Sequence, residues 1–369
     1  MKILYGVQGT GNGHISRARE MARAFKQLGA SVDFVFSGRE RERFFDMTIF
    51  DDFAVKRGLT FISEKGKINH LKTAIQSKPL HFLREIRDFD VTGYDVVLND
   101  FEPVSAWAAK RQRVPVIGIS HQCAFLHPVP VKGQNLLDKL VINQFAPADV
   151  RLGLHWYHFG QSILPPIIPI MPPEKICNNG EVLVYLPFES LDAVGALLGR
   201  FKDVIFNCYH PEVSQEQQHD NIVWHPLSQV GFHAHLQSCA GVIANGGFEL
   251  PSEAMSIGKK LLLKPLKGQF EQESNVMTLE MMGLAHTMNT LSPNALRTWL
   301  DACAVGAVTF PNVADSIAQW VLQGGFDDPR SLWEPLWAAV QYPESVDDLV
   351  QEFAGLYGNK KRPVSVTNM

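Results

Sequence analysis

At 369 residues the chain is long for a single hydrophobic core, so two domains of roughly 150 to 200 residues are expected. A composition of 46% hydrophobic and 20% charged residues excludes a disordered chain, and 34 Lys and Arg against 38 Asp and Glu leave no basic field to hold nucleic acid. Five scattered cysteines (Cys123, Cys177, Cys208, Cys239 and Cys303) without a C-x-x-C spacing argue against disulfides and structural zinc and predict a reducing, cytoplasmic setting.

The opening MKILYGVQGTG has too short an apolar run for a signal peptide, and no stretch reaches the ~18 apolar residues of a spanning helix. Any membrane contact is therefore expected to be peripheral, at the inner face. KILYGV (2–7) reads as a buried strand, followed by a glycine turn and by ISRAREMARAFKQLGA, where Ile15, Ala18, Met21, Ala22 and Phe25 recur at helical spacing up to Gly29. SVDFVFSG (31–38) is the next strand and completes a β-α-β unit of a parallel sheet. YDVVLND (94–100) and VPVIGIS (114–120) are further buried strands with a helix, PVSAWAAKRQR, between them, and ADVRLGL (148–154) continues the alternation. SILPPIIPIMPPEK (162–175) is then so rich in proline that regular pairing is not expected, and it reads as a stiff connector.

The alternation restarts with EVLVYLP, a helix over 190–200, DVIFNCY, NIVWHPL, a helix over 229–239, GVIANGG, a helix over 248–257, and KLLLKPL. SVDDLVQEFAGLY (345–357) has the pattern of a terminal amphipathic helix, and GNKKRPVSVTNM that of a loose tail. The expected organisation is two doubly wound α/β domains, 1–165 and 177–330, joined by a proline-rich hinge at 166–176. Helices over 331–357 are expected to pack back on the first domain, ahead of a tail over 358–369.

In open α/β sheets ligands bind outside the carboxyl ends of the strands, so two such domains would face each other across a cleft. GVQGTGNGHISRARE (6–20) lies at the first of these ends. Gly9, Gly11 and Gly13, with Asn12 among them, let the backbone pass close to a ligand, and the following helix offers unpaired N–H groups to an anion. His14 and Arg17 share one face of its first turn. No Lys-Ser/Thr follows, so this is no P-loop, and a dinucleotide fingerprint would want an acidic residue where the chain has Ser37-Gly38-Arg39; a purely structural glycine turn is the alternative.

At GVIANGGFELPSE (241–253) a strand stops at Asn245-Gly246-Gly247 and a helix begins, which again suits a phosphate. Glu249 and Glu253 share a face of that helix and either accept from a ribose diol or form a solvated surface. Asp100, ahead of Phe101-Glu102-Pro103, is expected to project its carboxylate into the cleft as a base, with His14 beside it; the alternative is Asp100 as the N-cap of the next helix. His121, in GISHQ, is a third cleft candidate. Asp88-Phe89-Asp90 has the spacing of a metal-binding Asp-x-Asp but precedes its strand, at the wrong end of the sheet, so no catalytic metal is expected.

GTGNGHISR together with NGGFELPSEAMSIGKKLLLKPLKGQFEQESN resembles the GT-B glycosyltransferases, most of all the group containing MurG, and more closely a family of MurG-like glycosyltransferases of bacteria and archaea. The resemblance implies a GT-B fold, with the acceptor on the first domain and a nucleotide-sugar donor on the second. It places Glu253 on the ribose, Gly246 and Gly247 at the diphosphate, Pro226 and Leu227 against the base, and Gln269, Glu271 and Gln272 on the hydroxyls of the donor sugar. His14 matches the histidine of a G-x-G-x-G-H pattern, and Gly11, Asn12, Gly13, Arg17 and His121 are expected to bind the acceptor or a phosphate. Arg17 stands in place of the proline usual after that histidine in the MurG group, and also matches nucleotide-sugar hydrolases.

The implied activity is hexosyl transfer from a nucleotide-sugar, a UDP-sugar being favoured, to a glycan or lipid-linked acceptor, with inversion and with neither metal nor cofactor. A nucleotide-sugar hydrolase or epimerase and a non-catalytic nucleotide-sugar binding protein are the alternatives. EKGKINHLKTAIQSKPLHFLREIR (64–87), which mixes lysines and arginines with apolar residues, either lies on an anionic membrane and collects a lipid-linked acceptor or forms ordinary surface helices. Oligomeric state is left open.

Overall fold

In the computed structural model of the chain the described residues are 1–59, 63–64, 67–68, 79–324, 326 and 329–357. Apolar runs with no polar face are buried on both sides, as a parallel sheet covered by helices requires. Every residue of β1 (Ile3–Gln8) is buried. Together with β2 (Val32–Ser37) and β3 (Phe53–Lys56) it builds one half of the first sheet. A separate antiparallel pair, β4 (Ser63–Glu64) and β5 (Lys67–Ile68), follows. The other half comprises β6 (Val96–Asp100), β7 (Val116–Ser120), β8 (Val150–Leu154) and β9 (Ile163–Leu164). The order is β3-β2-β1-β6-β7-β8-β9 and every pairing is parallel.

The second sheet contains β10 (Val182–Tyr185), β11 (Phe206–Tyr209), β12 (Gln217–His219), β13 (Ile222–His225), β14 (Gly241–Asn245), β15 (Lys260–Lys264) and β16 (His286–Thr287). Its order is β12-β13-β11-β10-β14-β15-β16, parallel except for β12 against β13. Strand order reverses once in each sheet, between β1 and β6 in the first and between β10 and β14 in the second. Such a reversal leaves a crevice at the carboxyl ends of the two central strands, because their crossover helices leave to opposite sides.

One expectation is corrected. The stretch 162–175 does pair at its start, since Ile163 and Leu164 run parallel to Gly153 and Leu154; the prolines begin only at Pro165, and the edge position tolerates them. In the stretch 64–87 the described residues include a short strand at 67–68 and a surface helix, Pro79–Asp88, with Ile86 inward and Leu80 and Leu83 exposed. Lys65, Leu71, Lys72, Ile75 and Lys78 lie outside the described residues, as does the tail 358–369. Among the described residues no helix is long and apolar enough to cross a membrane.

After the second sheet the chain returns to the first domain. The helix Val313–Leu322 packs on the helix Asn12–Gln27. Trp337 donates its indole N–H to the Ile163 carbonyl at 2.6 Å, and Phe353 of the last helix, Asp347–Tyr357, is buried against Tyr157 and Phe159.

Candidate active site

The two reversals face each other. Gly13 at the start of the helix Asn12–Gln27 meets the first turn of the helix Glu249–Ser256 so closely that a Cβ on it would lie 3.0 Å from Glu249 Cγ. Asn12 donates to the Tyr185 hydroxyl at the end of β10 (3.2 Å), and Arg17 pairs with Glu249. The glycine turn of the first domain and the Asn245 turn of the second thus share one gap.

On the first-domain side, parallel pairing sets Val7 of β1 beside Asp100 of β6, so the turn after one strand and the carboxylate ending the other converge. His14 Nδ1 lies 2.7 Å from Asp100 Oδ1, Arg17 Nε donates to Asp100 Oδ2 at 2.7 Å, and Arg17 Nη2 donates to Oδ1 at 2.9 Å. Burial opposes ionisation of Asp100, but Arg17 and then His14 outweigh it and hold the carboxyl below its usual range. An ionised Asp100 accepts, so in the neutral imidazole of His14 the donor is Nδ1 and the acceptor Nε2. The expectation that Asp100 projects into the cleft is corrected: its side chain has 0% exposure, whereas that of His14 keeps 15%. Phe101, with φ 54°, makes the sharp exit, but the turn spends Asp100 on Arg17 and His14. Nor is Asp100 an N-cap. Glu102 caps the next helix, accepting from Val104 N at 2.8 Å and Ser105 N at 2.6 Å.

Glu249 is buried on the opposite wall, and its carboxyl is pushed up to about 8 by burial, which Arg17 counters and the nearby Glu253 and Asp100 reinforce. Its Oε2 has no hydrogen-bond partner. Glu253 is buried too, 3.3 Å from His233 Nε2; burial would lower the His233 pKa, but the pairing with Glu253 raises it. Of the two glycines after Asn245, a Cβ on Gly246 would meet Val276 Cγ2 at 2.6 Å and the Gln272 carbonyl at 2.8 Å, whereas one on Gly247 would meet nothing within 4 Å. Gly246 is therefore required by packing against the helix Phe270–Met281, which corrects its expected exposure to a ligand, and Gly247 is the open one.

Pro226 and Leu227 remain half-exposed in the turn after β13. Gln269 ends that helix's approach with Oε1 buried and unpartnered, and Glu271 accepts from Gln122 Nε2 at 3.2 Å. Gln272 is spent on the backbone, its Oε1 accepting from Leu266 N at 2.9 Å, so its expected place on sugar hydroxyls is corrected. His121 likewise is no open cleft residue. It is buried, with Nδ1 2.8 Å from the Leu154 carbonyl and Nε2 2.7 Å from Asn275 Oδ1, and it stacks on Phe248 at 4.0 Å, joining the two domains. Burial lowers its pKa.

Two properties of this gap bear on its chemistry. Several helices elsewhere begin on a side chain that accepts from their own first turn, as Ser190, Ser228, Ser292 and Asn312 do, although the helix Arg330–Ala338 does not. Those beginning at Asn12, Glu249 and Phe270, all at the gap, have no side-chain cap, so their first N–H groups remain free for an anion. Four buried oxygens, of Gln122, Asn245, Glu249 and Gln269, lack hydrogen-bond partners, and a ligand rich in hydroxyls would supply them. Sequence reasoning missed Gln122, Tyr185 and Asn275; the first two lie at strand ends, a signal that could have found them, whereas Asn275 has only its place in a helix. Among the described residues no group of three or more His, Cys, Asp or Glu is placed to hold a metal, and the Asp88-Phe89-Asp90 carboxylates are engaged by Arg87 and Thr92.

Two parallel-sheet α/β domains with their reversal points opposed define a protein of the GT-B class, and comparison with known proteins agrees. The chain belongs to glycosyl transferase family 1, whose family model matches residues 1–304. A glycosyltransferase of Methanosarcina acetivorans is 30% identical over 126 residues, which is 33% of this chain and 32% of that protein, so the match spans about a third of the relative's length. Solved structures that share the fold include the glycotransferase of kitacinnamycin (TM-score 0.55, 14% identity, covering 95% of this chain and 98% of that one). Spinosyn forosaminyltransferase SpnP is another (TM-score 0.53, 12% identity, covering 96% and 99%). A third is UGT89C1 of Arabidopsis thaliana, complexed with UDP (TM-score 0.53, 12% identity, covering 97% and 99%).

Proposed function

We propose that the protein transfers a sugar from a nucleotide-sugar, a UDP-sugar being favoured, to a hydroxyl of a glycan or lipid-linked acceptor, by direct displacement with inversion. The observation that carries this reading is the His14–Asp100 pair at 2.7 Å, in which only the histidine reaches the cleft. His14 Nε2 takes the proton of the acceptor hydroxyl as that oxygen bonds to the anomeric carbon, and the bond from this carbon to the diphosphate oxygen breaks with its electron pair leaving on the nucleoside diphosphate. Asp100 acts as the orienting partner: it fixes the tautomer and stabilises the imidazolium that forms, and Arg17 keeps it ionised.

Charge on the leaving diphosphate is met by the uncapped helix ends beside Gly247 and Gln269, where free N–H groups point without reorganisation. The unpartnered oxygens of Asn245 and Gln269 accept from sugar hydroxyls, the protonated Glu249 carboxyl donates to one, and Glu253 and the Pro226-Leu227 turn serve the nucleoside. The likeness in fold to a UDP-bound glycosyltransferase supports the choice of nucleotide. Incubation with UDP-, GDP- and dTDP-sugars tests the reading. Release of nucleoside diphosphate that needs a glycan or lipid-phosphate acceptor is the expected result; release of free sugar into water would make the enzyme a hydrolase, and binding without turnover would make it a sensor.

A further inference from the structure

The end of β2 carries a cation that the proposed reaction does not use. Gly38, at φ +100°, turns the chain back onto the glycine loop, where its own Cβ would strike Thr10 at 2.7 Å. Arg39 is thereby laid, half-buried, along the lip of the gap, its guanidinium carbon 5.3 Å from the centre of the Phe44 ring. Both terminal nitrogens donate to one neutral acceptor, Asn12 Oδ1, at 3.2 Å, and Asn12 in turn donates to Tyr185 across the gap. No carboxylate among the described residues pairs with Arg39. Burial lowers the Arg39 pKa, Tyr185 opposes that shift, and Arg43, for which no carboxylate partner is found among the described residues, adds to it. Arg17, by contrast, is paired with the ionised Asp100.

A guanidinium has five N–H donors in a rigid fork, and one that is half-buried beside a like charge is costly until an oxyanion completes it. We infer that Arg39, assisted by Arg43, binds an oxyanion of phosphate type carried by the acceptor, beside Asn12, which lies two residues before the base His14. The inference rests on the transfer reading and narrows its acceptor to an anionic one. The first-domain origin of both arginines assigns the anion to the acceptor, because the uncapped ends at Glu249 and Phe270 that suit the donor diphosphate belong to the second domain.

The full-length protein, saturated with UDP, is titrated with inorganic pyrophosphate by calorimetry, in wild type, Arg39→Gln, Arg39→Lys and Arg43→Gln. One pyrophosphate should bind in addition to the nucleotide. Arg39→Gln should weaken it about tenfold or more, Arg39→Lys less because charge without the fork is retained, and Arg43→Gln by a few-fold, with UDP affinity unchanged within about twofold in all. Equal pyrophosphate affinity in wild type and Arg39→Gln would overturn the inference, as would the absence of a pyrophosphate site beside bound UDP or competition between the two ligands. Failure of UDP, GDP and dTDP alike to bind sinks the donor reading instead, and the Arg39 comparison is then read in the nucleotide-free protein. Melting curves identify a variant that does not fold; Arg43 is exposed, so its substitution keeps the comparison readable.

Discussion

His14 and Asp100 divide a task that either one alone would perform badly. A buried aspartate held ionised by Arg17 is a poor proton acceptor, and an unoriented histidine is not held in the tautomer that leaves Nε2 as the acceptor. His14→Ala should lower turnover about 10²- to 10⁴-fold. Asp100→Asn should cost a comparable factor with donor affinity nearly kept, since the amide no longer selects the Nδ1–H tautomer; steady-state kinetics with a competent donor, read beside nucleotide titrations, would reject the division of roles if Asp100→Asn kept its rate. Glu249 obeys the opposite electrostatics. Its carboxyl titrates near 8 when folded, against about 4.3 in a free chain, so between those values the folded protein holds a proton that the unfolded chain releases. Its contribution is full below the lower value and drains away as pH rises towards the upper one. Glu249→Gln should therefore lose less melting temperature between pH 5 and pH 8 than wild type does, and parallel pH profiles would contradict this. The chemistry of these residues was legible only in part: glycines, His14 and Asp100 at strand ends could be read in order along the chain, but that Arg17 neutralises Asp100, 83 positions away, is a fact of packing.

Strands and helices show the same division between what periodicity reveals and what contacts decide. The buried strands were readable because their apolar runs have no solvent face, and the strand-to-helix turns because glycine or a capping residue marks them. Short edge pieces such as Phe53–Lys56 and Ile163–Leu164 escaped, since a few residues carry no period and neighbouring prolines argue against pairing. The adjacent glycines 246 and 247 look equivalent in sequence and are not. Gly246→Ala pushes a methyl group into Val276 and the Gln272 carbonyl, which should cost about 1–3 kcal/mol and several degrees of melting temperature. Gly247→Ala meets nothing within 4 Å, so the protein should melt near the wild-type temperature while nucleoside diphosphate affinity falls. Equal melting temperatures for the two variants would show that the helix Phe270–Met281 does not press on Gly246.

Across the whole molecule, two sheets with opposed reversal points make one site out of residues that neither domain holds alone. Besides Arg17 with Glu249, the domains are joined by Trp156 Nε1 on Ser252 Oγ at 2.7 Å, Lys132 N on Ser274 Oγ at 2.9 Å and the His121 to Asn275 contact. These polar links are embedded in an apolar seam, where Phe248 packs on Trp156 at 4.8 Å and Phe270 on Phe125 at 5.2 Å, so the domains are held together by packing as well as by hydrogen bonds. The C-terminal return adds a restraint of another kind. Trp337 is anchored on Ile163, one residue before the last of β9 and two before the first proline of the connector, so the outgoing and the incoming chain are moored at a common point. A joint moored at that point has less room to slide, which favours opening by rotation and the return of His14 to the same address. Loosening that mooring would turn a pivot into a swivel, and the register between base and donor would be lost without any change at the residues that do the chemistry.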